Sequence, residues 1–566
     1  MENYNAIYER WLKATEDNEE LHEELLSVRD DPKAIEDRFY RELEFGTAGL
    51  RGILGAGTNR MNLFVVAKAT QGYSNYLVKH FENPSVVIGY DSRIHSQDFA
   101  EAAAAVFAAN GIRVHLYSKL MPVPCCSFAV RDLGCSGGVM VTASHNPAKY
   151  NGYKVYGGDG CQITSEAAKE ILEEINNVDI FTGVKRGTFP AEGISYIGED
   201  TVERYFAAIA TTSVLPGDLG KGVKIVYTPL NGAGISCVPE CLKRRGFTDI
   251  ILVEEQKNPD GNFPTCPYPN PEIREALELG LQWAEKTQSD LLLATDPDCD
   301  RVGAAIKTAD GYRLISGNEM GVLLLDFICA MRQRSGTMPK DPIAVKTIVT
   351  TPLTAAVAKH YGVTLVDVLT GFKYIGEQIG LLEKDGEEDR YILGFEESYG
   401  YLSGSFVRDK DGVNASLLIC EMFAYYRSIG KTLADRLEEL AAMFGCYQSK
   451  LLSFTFEGGS GFAKMQQMMR SLRENTPREI AGIPVEAVGD YKEGTITYAD
   501  GTVKPTGLPQ SDVMRFMLAG GNELTVRPSG TEPKLKMYLT AVGKDKADAL
   551  RGVAAFESYS NAWING

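Results

Sequence analysis

Long apolar runs are missing from this chain. Nothing in its 566 residues approaches the ~18 consecutive apolar residues that a membrane-spanning helix needs, which excludes a membrane span. The opening Met1-Glu2-Asn3-Tyr4-Asn5 lacks the basic and apolar regions of a secretory signal, so a cytoplasmic protein is expected. An excess of positive charge is missing too: the formal net charge is −17. Nucleic-acid binding draws on clustered Lys and Arg that neutralise phosphates, so a nucleic-acid partner is excluded. A small anionic substrate is not, because the charge that matters to it is local to its cleft. An acidic chain must then gather its cations tightly wherever it holds a phosphate. Zinc-type cysteine spacing is also absent. The 11 cysteines are scattered and odd in number; Cys125 and Cys126 are adjacent, and Cys237 and Cys241 have no second pair nearby. Reduced, mostly buried thiols are expected. Neither a dinucleotide fingerprint nor a P-loop occurs in usable form. Nothing in the sequence reveals an oligomeric state.

The length exceeds one hydrophobic core and predicts three to five domains at about 100–200 residues each. Residues 1–40 are charged, with Tyr8, Trp11, Leu12, Leu21, Leu25 and Leu26 at helical intervals, predicting one or two helices packed on the first domain. Apolar strands then alternate with helical stretches. Ser85–Asp91 reads as a strand, and Ser96 as the cap of a helix that Gly111 ends. Lys224–Thr228, Asp290–Ala294, Ile343–Lys346 and Tyr391–Gly394 read as further buried strands. Such alternation favours α/β layers with mixed, mostly parallel sheets. Near residue 446 the pattern changes to an antiparallel α+β unit, with Asn522–Val526 and Leu535–Thr540 flanking a tight loop. The predicted domains are 1–208, 209–315, 316–445 and 446–566.

The polar clusters sit just after apolar runs, where ligands bind in open α/β sheets. Gly138–Val141 leads into Thr142-Ala143-Ser144-His145-Asn146-Pro147, which places a serine hydroxyl at a loop tip where it can carry a covalent group, with His145 and Lys154 near in sequence. Asn146-Pro147 and Asn151-Gly152 read as turn dipeptides. The next cluster, Thr295-Asp296-Pro297-Asp298-Cys299-Asp300-Arg301, sets three carboxylates at alternate positions, which converge readily on one hard cation such as Mg²⁺. An EF-hand is excluded, because Arg301 and Lys307 stand where that loop needs Gly and Glu. Arg301 suits a phosphate. Gly394-Phe395-Glu396-Glu397-Ser398-Tyr399-Gly400 offers acids for sugar hydroxyls, with Lys373, Arg408 and Lys410 adding positive charge. Arg527-Pro528-Ser529-Gly530-Thr531 offers a guanidinium, two hydroxyls and a glycine that admits backbone amides to a phosphate. Phe45–Gly52 is a Gly-rich turn carrying Arg51.

In order and spacing these five clusters resemble the α-D-phosphohexomutase superfamily, over residues of about 40 to 545. Glu396-Glu397-Ser398-Tyr399-Gly400 resembles the glucose-preferring members. The N-terminal extension resembles the branch of bacterial phosphoglucomutases and animal phosphopentomutase-like enzymes. The resemblance implies a four-domain architecture around a central cleft, three related α/β domains plus a C-terminal phosphate-binding domain. It implies phosphoserine at Ser144, with Mg²⁺ held by Ser144, Asp296, Asp298 and Asp300. Arg51 and Arg301 would lie near that phosphate, Lys154 would act as general base, and His145 would orient the loop. Glu396 and Ser398 would bind sugar hydroxyls, and Arg527, Ser529, Gly530 and Thr531 the distal phosphate. The implied reaction interconverts glucose 1-phosphate and glucose 6-phosphate through glucose 1,6-bisphosphate. Pentose or mannose phosphates are alternative substrates, and an inactive phosphosugar-binding protein is an alternative of another class. Gly400 stands where other branches carry histidine, which leaves a second acid/base unassigned.

Overall fold

Asn18 and Asp31 start the second and third of three amphipathic helices at the head of the chain, Tyr4–Ala14, Glu19–Ser27 and Pro32–Phe39. A computed structural model describes residues 4–46, 49–217, 220–456, 458–529 and 534–565. The Asn18 and Asp31 side chains accept from the amides that a helix start leaves open. The sequence predicted one or two helices here. A third forms because Pro32 cannot continue the preceding helix but suits the first turn of a new one. Tyr8, Trp11, Leu21, Leu25, Ile35 and Phe39 enter the core of the first α/β layer. Leu26 faces outward, 44% exposed.

Two compact units make up the chain: residues 1–317 with 375–393 and 398–425, and residues 318–374 with 394–397 and 426–566. The first unit holds two sheets of one local plan. In the six-stranded sheet, Gly137–Val141 runs parallel to Ser85–Tyr90 and antiparallel to Tyr150–Gly157. In the five-stranded sheet, Leu291–Thr295 runs parallel to Lys224–Thr228 and antiparallel to Val302–Thr308. The serine loop and the three-aspartate loop therefore occupy the same place in two sheets. Each leaves the carboxyl end of a fully buried strand and returns on an antiparallel one. The expected α/β class with mixed sheets is what the chain adopts.

Two local expectations are corrected. Asn151-Gly152 is not a turn but lies inside the strand Tyr150–Gly157. The turn comes earlier, where Tyr150 N donates to Pro147 O at 3.0 Å. Glycine is needed at 152 for space, since a Cβ there would lie 2.4 Å from the Thr142 carbonyl oxygen. Ser96 does not cap its helix. It is the first residue of Ser96–Ala109, His95 holds the cap position in a left-handed conformation, and the Ser96 hydroxyl donates to Asp91 instead.

In the second unit, Ile343–Thr347 and Thr364–Val368 pair in parallel. From Cys446 onward the sheet is antiparallel, built on Cys446–Thr455, Lys534–Gly543, Glu523–Pro528, Met514–Leu518 and Ile483–Asp490. The helices Gly458–Glu474 and Lys546–Asn565 cover it with Met465, Met469, Val553 and Phe556. Ile348, Val349 and Leu369 pack with Tyr491, Val513 and Tyr538, which joins the parallel strand ends to this sheet. Among the described residues no helix is long and apolar enough to cross a membrane.

Candidate active site

Ser144 sits in the left-handed region at φ 53°, an uncommon conformation for a residue with a side chain. It turns the hydroxyl into the first unit, where only 8% of the residue is exposed. Ser144 Oγ lies 3.1 Å from Asp296 Oδ2 and 3.1 Å from His145 Nδ1. The loop is pinned from below by Thr142. Its hydroxyl oxygen accepts from Ser144 N at 2.9 Å and lies 2.7 Å from Asp91 Oδ2 and 3.1 Å from Asp298 Oδ2.

The aspartate loop folds around its own first carboxylate. Asp296 Oδ1 accepts from the amides of Asp300 and Arg301 at 3.1 and 2.9 Å. This leaves Oδ2 to meet the serine. Asp298 Oδ2 accepts from Lys154 Nζ at 2.9 Å, and Asp300 Oδ2 faces both Lys154 and Lys410 at 3.2 Å. The three carboxylates are buried, with one oxygen of each within 4.8 Å of the others. Asp298 Oδ1 and Asp300 Oδ1 are buried without a hydrogen-bond donor. Two orphaned carboxylate oxygens beside a third acid and a serine hydroxyl fit a divalent cation with oxygen ligands.

Burial pushes the Asp296 carboxyl well up, and the neighbouring Asp298 and Asp300 add to it. Burial also acts on Asp300, but Lys410, Lys154 and Arg301 outweigh it and hold that carboxyl below the usual range. For Lys154, burial favours the neutral amine, yet Asp298, Asp300 and Asp409 more than offset it and raise its pKa. His145 is driven well below its ordinary value by burial, then by Arg301 and Arg51. It is a neutral imidazole suited to orienting the serine. Arg51, on the strand Gly49–Ile53, is therefore close enough to act on it. Arg301 pairs with Glu272.

Other expected residues divide between the units. In the first, Gly400 bridges Arg301 and Tyr399 O accepts from Val302 N at 3.2 Å, which brings Ser398 to the aspartate loop. Lys410 reaches Asp300, as above. Arg408 is fully buried, and its guanidinium donates to Glu383 at 2.7 Å and to the Ser405 carbonyl. Here its contacts are those of an ion pair with Glu383. In the second unit, Glu396 ends the strand Tyr391–Glu396 and is 5% exposed. The Tyr538 hydroxyl is pushed up by burial, then by Glu397, is lowered by Arg527, and is raised again by Glu396. Those three charged groups therefore surround one tyrosine. Ser529 N donates to Lys534 O at 2.7 Å. Lys373 Nζ lies 5.0 Å from the Tyr374 ring centroid. Gly530 and Thr531 lie outside the described residues.

Three family models match the chain in turn. "Phosphoglucomutase/phosphomannomutase, alpha/beta/alpha domain" I, II and III match residues 42–180, 203–311 and 316–444 in turn. The phosphoglucomutase of Staphylococcus aureus (strain MRSA252) is 36% identical over 558 residues, 97% of this chain and 98% of that one. The chain belongs to the phosphoglucomutase/phosphomannomutase family. The phosphoglucomutase of Staphylococcus haemolyticus (strain JCSC1435) is 37% identical over 517 residues, 89% of this chain and 91% of its own. Among solved structures, pp63/parafusin (a phosphoglucomutase) from Paramecium superposes with TM-score 0.69 at 16% identity, over 93% of this chain and 96% of that one. A phosphoglucomutase/phosphomannomutase family protein from Burkholderia thailandensis gives 0.66 at 19%, over 92% and 98%. These two likenesses concern the fold. The α-D-phosphohexomutase resemblance read from five motifs is thus the family of the chain.

The sequence reading of this family member missed Asp91, Arg93 and Thr142 as working residues. The signal was present: Asp91-Ser92-Arg93 is a polar cluster directly after the strand Ser85–Tyr90, the same placement that marked the other loops.

Proposed function

We propose that the protein is a phosphoglucomutase that interconverts α-D-glucose 1-phosphate and glucose 6-phosphate through a phosphorylated Ser144. The observation that carries this is the Ser144 hydroxyl, 3.1 Å from Asp296 in a buried trio of acids, with Lys154 and Lys410 on the other two. The names of relatives at 36–37% identity over most of the chain support it.

In the first half-reaction the 6-hydroxyl oxygen of glucose 1-phosphate attacks the phosphorus on Ser144. A P–O6 bond forms, the P–Oγ bond breaks, and the hydroxyl proton passes to Lys154, which acts in its neutral form. Glucose 1,6-bisphosphate then turns over in the site. Ser144 Oγ attacks the phosphorus at position 1, the P–O1 bond breaks, and O1 takes back from Lys154 the proton released in the first half-reaction, giving glucose 6-phosphate. Mg²⁺, held by Asp296, Asp298, Asp300 and the Ser144 oxygen, would neutralise charge on the moving phosphoryl group and relieve the carboxylate field that holds the Lys154 proton. Lys410, assigned to the substrate, shares Asp300 with Lys154 and adds positive charge. His145 orients Ser144. Arg51 and Arg301 add positive charge near the transferred phosphate. Sugar hydroxyls are assigned to Glu396 and Ser398, with Lys373 adding charge. The distal phosphate is assigned to Arg527, Ser529, Gly530 and Thr531. We divide the chain at residues 208, 315 and 445. A cytoplasmic site of action accords with 11 cysteines that are all buried thiols.

The test is turnover of purified wild type and Ser144→Ala with Mg²⁺ and trace glucose 1,6-bisphosphate, on glucose, mannose and ribose 1-phosphates in parallel. Rapid conversion of glucose 1-phosphate, reduced at least ~10³-fold in the alanine variant, supports the reading. A preference for ribose 1-phosphate replaces the sugar, and an active Ser144→Ala variant removes the phosphoserine.

A further inference from the structure

Arg93 does more for the serine loop than any residue the chemistry names. It follows Asp91 at the end of the strand Ser85–Tyr90, and its side chain has no exposed surface. Both terminal nitrogens are spent on carbonyl oxygens of the loop. Nη1 donates to Pro147 O and Tyr150 O, each at 3.0 Å, and Nη2 donates to Ser144 O and Asn146 O. Four carbonyls of one seven-residue stretch are thus gathered by one planar cation. A loop that turns away from a strand leaves such carbonyls without ladder partners, and burying them unpaired is costly. The left-handed backbone of Ser144 adds a further cost. Arg93 is the group that holds this backbone in place.

The arginine is held in turn from two sides. Asp91 Oδ1 accepts from Arg93 N at 3.0 Å, while its Oδ2 faces Arg93 Nε at 3.4 Å and the Thr142 hydroxyl at 2.7 Å. On the other side the guanidinium carbon lies 5.1 Å from the ring centroid of Phe263, which is 1% exposed. Phe263 belongs to the stretch between the second sheet's strand Asp249–Leu252 and the helix Arg274–Thr287. Two residues earlier, Gly261 approaches so closely that a Cβ would lie 2.4 Å from Ile94 N. The stretch is therefore seated on the arginine's own backbone.

We infer that Arg93 is a positioning residue for phosphoryl transfer, setting the Ser144 oxygen against the aspartate loop and braced by Phe263 of the second sheet's domain. The inference rests on the mutase reading for its kinetic consequence but not for its structural one. A lysine in place of Arg93 keeps the charge but cannot fork to four carbonyls or stack flat on Phe263.

The experiment compares Arg93→Lys and Phe263→Leu with wild type in three measurements. The first is hydrogen–deuterium exchange over residues 140–152, which needs no substrate. The second is kcat and KM for glucose 1-phosphate with Mg²⁺. The third is the ³¹P resonance of Ser144 after loading with glucose 1,6-bisphosphate. For Arg93→Lys we expect faster exchange in the loop, kcat down about 100-fold with KM within threefold, and a shifted or broadened phosphoserine resonance. For Phe263→Leu we expect the same signs at smaller size, and this variant carries the test if Arg93→Lys does not fold. Wild-type exchange in the loop of a folded variant overturns the positioning role whatever the activity. Wild-type kcat with an unshifted resonance overturns it as well. If wild type itself turns over no sugar phosphate, the mutase reading fails, and the exchange measurement alone decides for or against Arg93.

Discussion

At the scale of single residues the site is a problem of charge held close. Like charges 4.8 Å apart, the spread of the three aspartate oxygens, repel by roughly 3 kcal/mol per pair at an effective dielectric of 20. Lys154 and Lys410 answer part of this, and the two orphaned oxygens show where a further cation is wanted. Lys154 neutralises acids, and the proposed mechanism asks it to move a proton as well. Lys154→Met separates the two duties. The proton role predicts a fall in kcat of about 10²–10⁴-fold, with Ser144 still present to be phosphorylated. Steady-state turnover of glucose 1-phosphate measures it, and turnover at the wild-type rate rules out the base. Ser144 and the three aspartates stood out in the sequence because each lies in a polar cluster directly after an apolar run, whereas Lys154 lies inside the strand Tyr150–Gly157. Arg93 also follows an apolar run, but its role was not legible, because its work is done on carbonyls up to 57 residues away, and carbonyls leave no mark in a sequence.

At the scale of elements, helix starts and strand pairings place the site, and the chain's local signals mostly declare them. The strands after which Ser144 and Asp296 stand were read within a residue or so, since four or five buried apolar residues in a row have few other uses. The misreadings share a cause. Asn151-Gly152 has turn propensity, but the glycine serves close approach of Thr142. Ser96 has capping propensity, but its hydroxyl is drawn to Asp91. Tertiary partners outbid local preference in both. One helix start makes a pH prediction. Asp411 precedes Gly412–Ser428, accepts from the amides of Val413 and Asn414 and from Tyr205, and is pushed up to about 6 by burial. Between the ordinary Asp value of 3.8 and about 6, the folded chain binds the proton that the unfolded chain has released. Stability therefore falls as pH rises through that window, by ~3 kcal/mol when complete. Asp411→Asn keeps the capping oxygen and removes the titration. In urea unfolding the variant should gain on wild type by ~2–3 kcal/mol between pH 4 and 7.5. A difference that does not change with pH would show that Asp411 stays ionised throughout.

At the scale of the whole molecule, the chain divides its chemistry between two units, and the division was not legible in the sequence. Glu396 and Glu397 belong to one unit while Ser398 and Lys410 belong to the other, although the sequence presents 394–400 as one motif. Contiguity along the chain says nothing about which neighbours a residue packs with. The second unit is tied together by charge as well as by apolar contact. Lys346 Nζ lies 3.0 Å from Asp367 Oδ1, Arg515 Nη1 lies 3.2 Å from Asp367 Oδ2, and Arg515 Nη2 lies 2.7 Å from Glu523. Asp367 thus joins the parallel strands to the antiparallel sheet. Burial pushes its carboxyl up, but Lys346 and Arg515 outweigh burial and hold it below 3.8. A depressed carboxyl contributes stability that is present above its ordinary pKa and lost as pH falls through its folded one. Asp367→Asn leaves Lys346, 2% exposed at its side chain while Asp367 is 35% exposed, without its counter-charge but with its hydrogen bonds to Thr347 O and Thr350 O, a loss of about 1–3 kcal/mol. The loss should fall on the second unit alone. In calorimetry at pH 7 we expect one endotherm to move down, while the aspartate loop of the first unit keeps wild-type hydrogen-exchange protection. As pH falls through the folded pKa of Asp367 the two proteins should converge. Loss of protection in both units together would mean that they unfold as a single cooperative body, and an unmoved endotherm would mean that the ion pairs contribute nothing to holding the second unit.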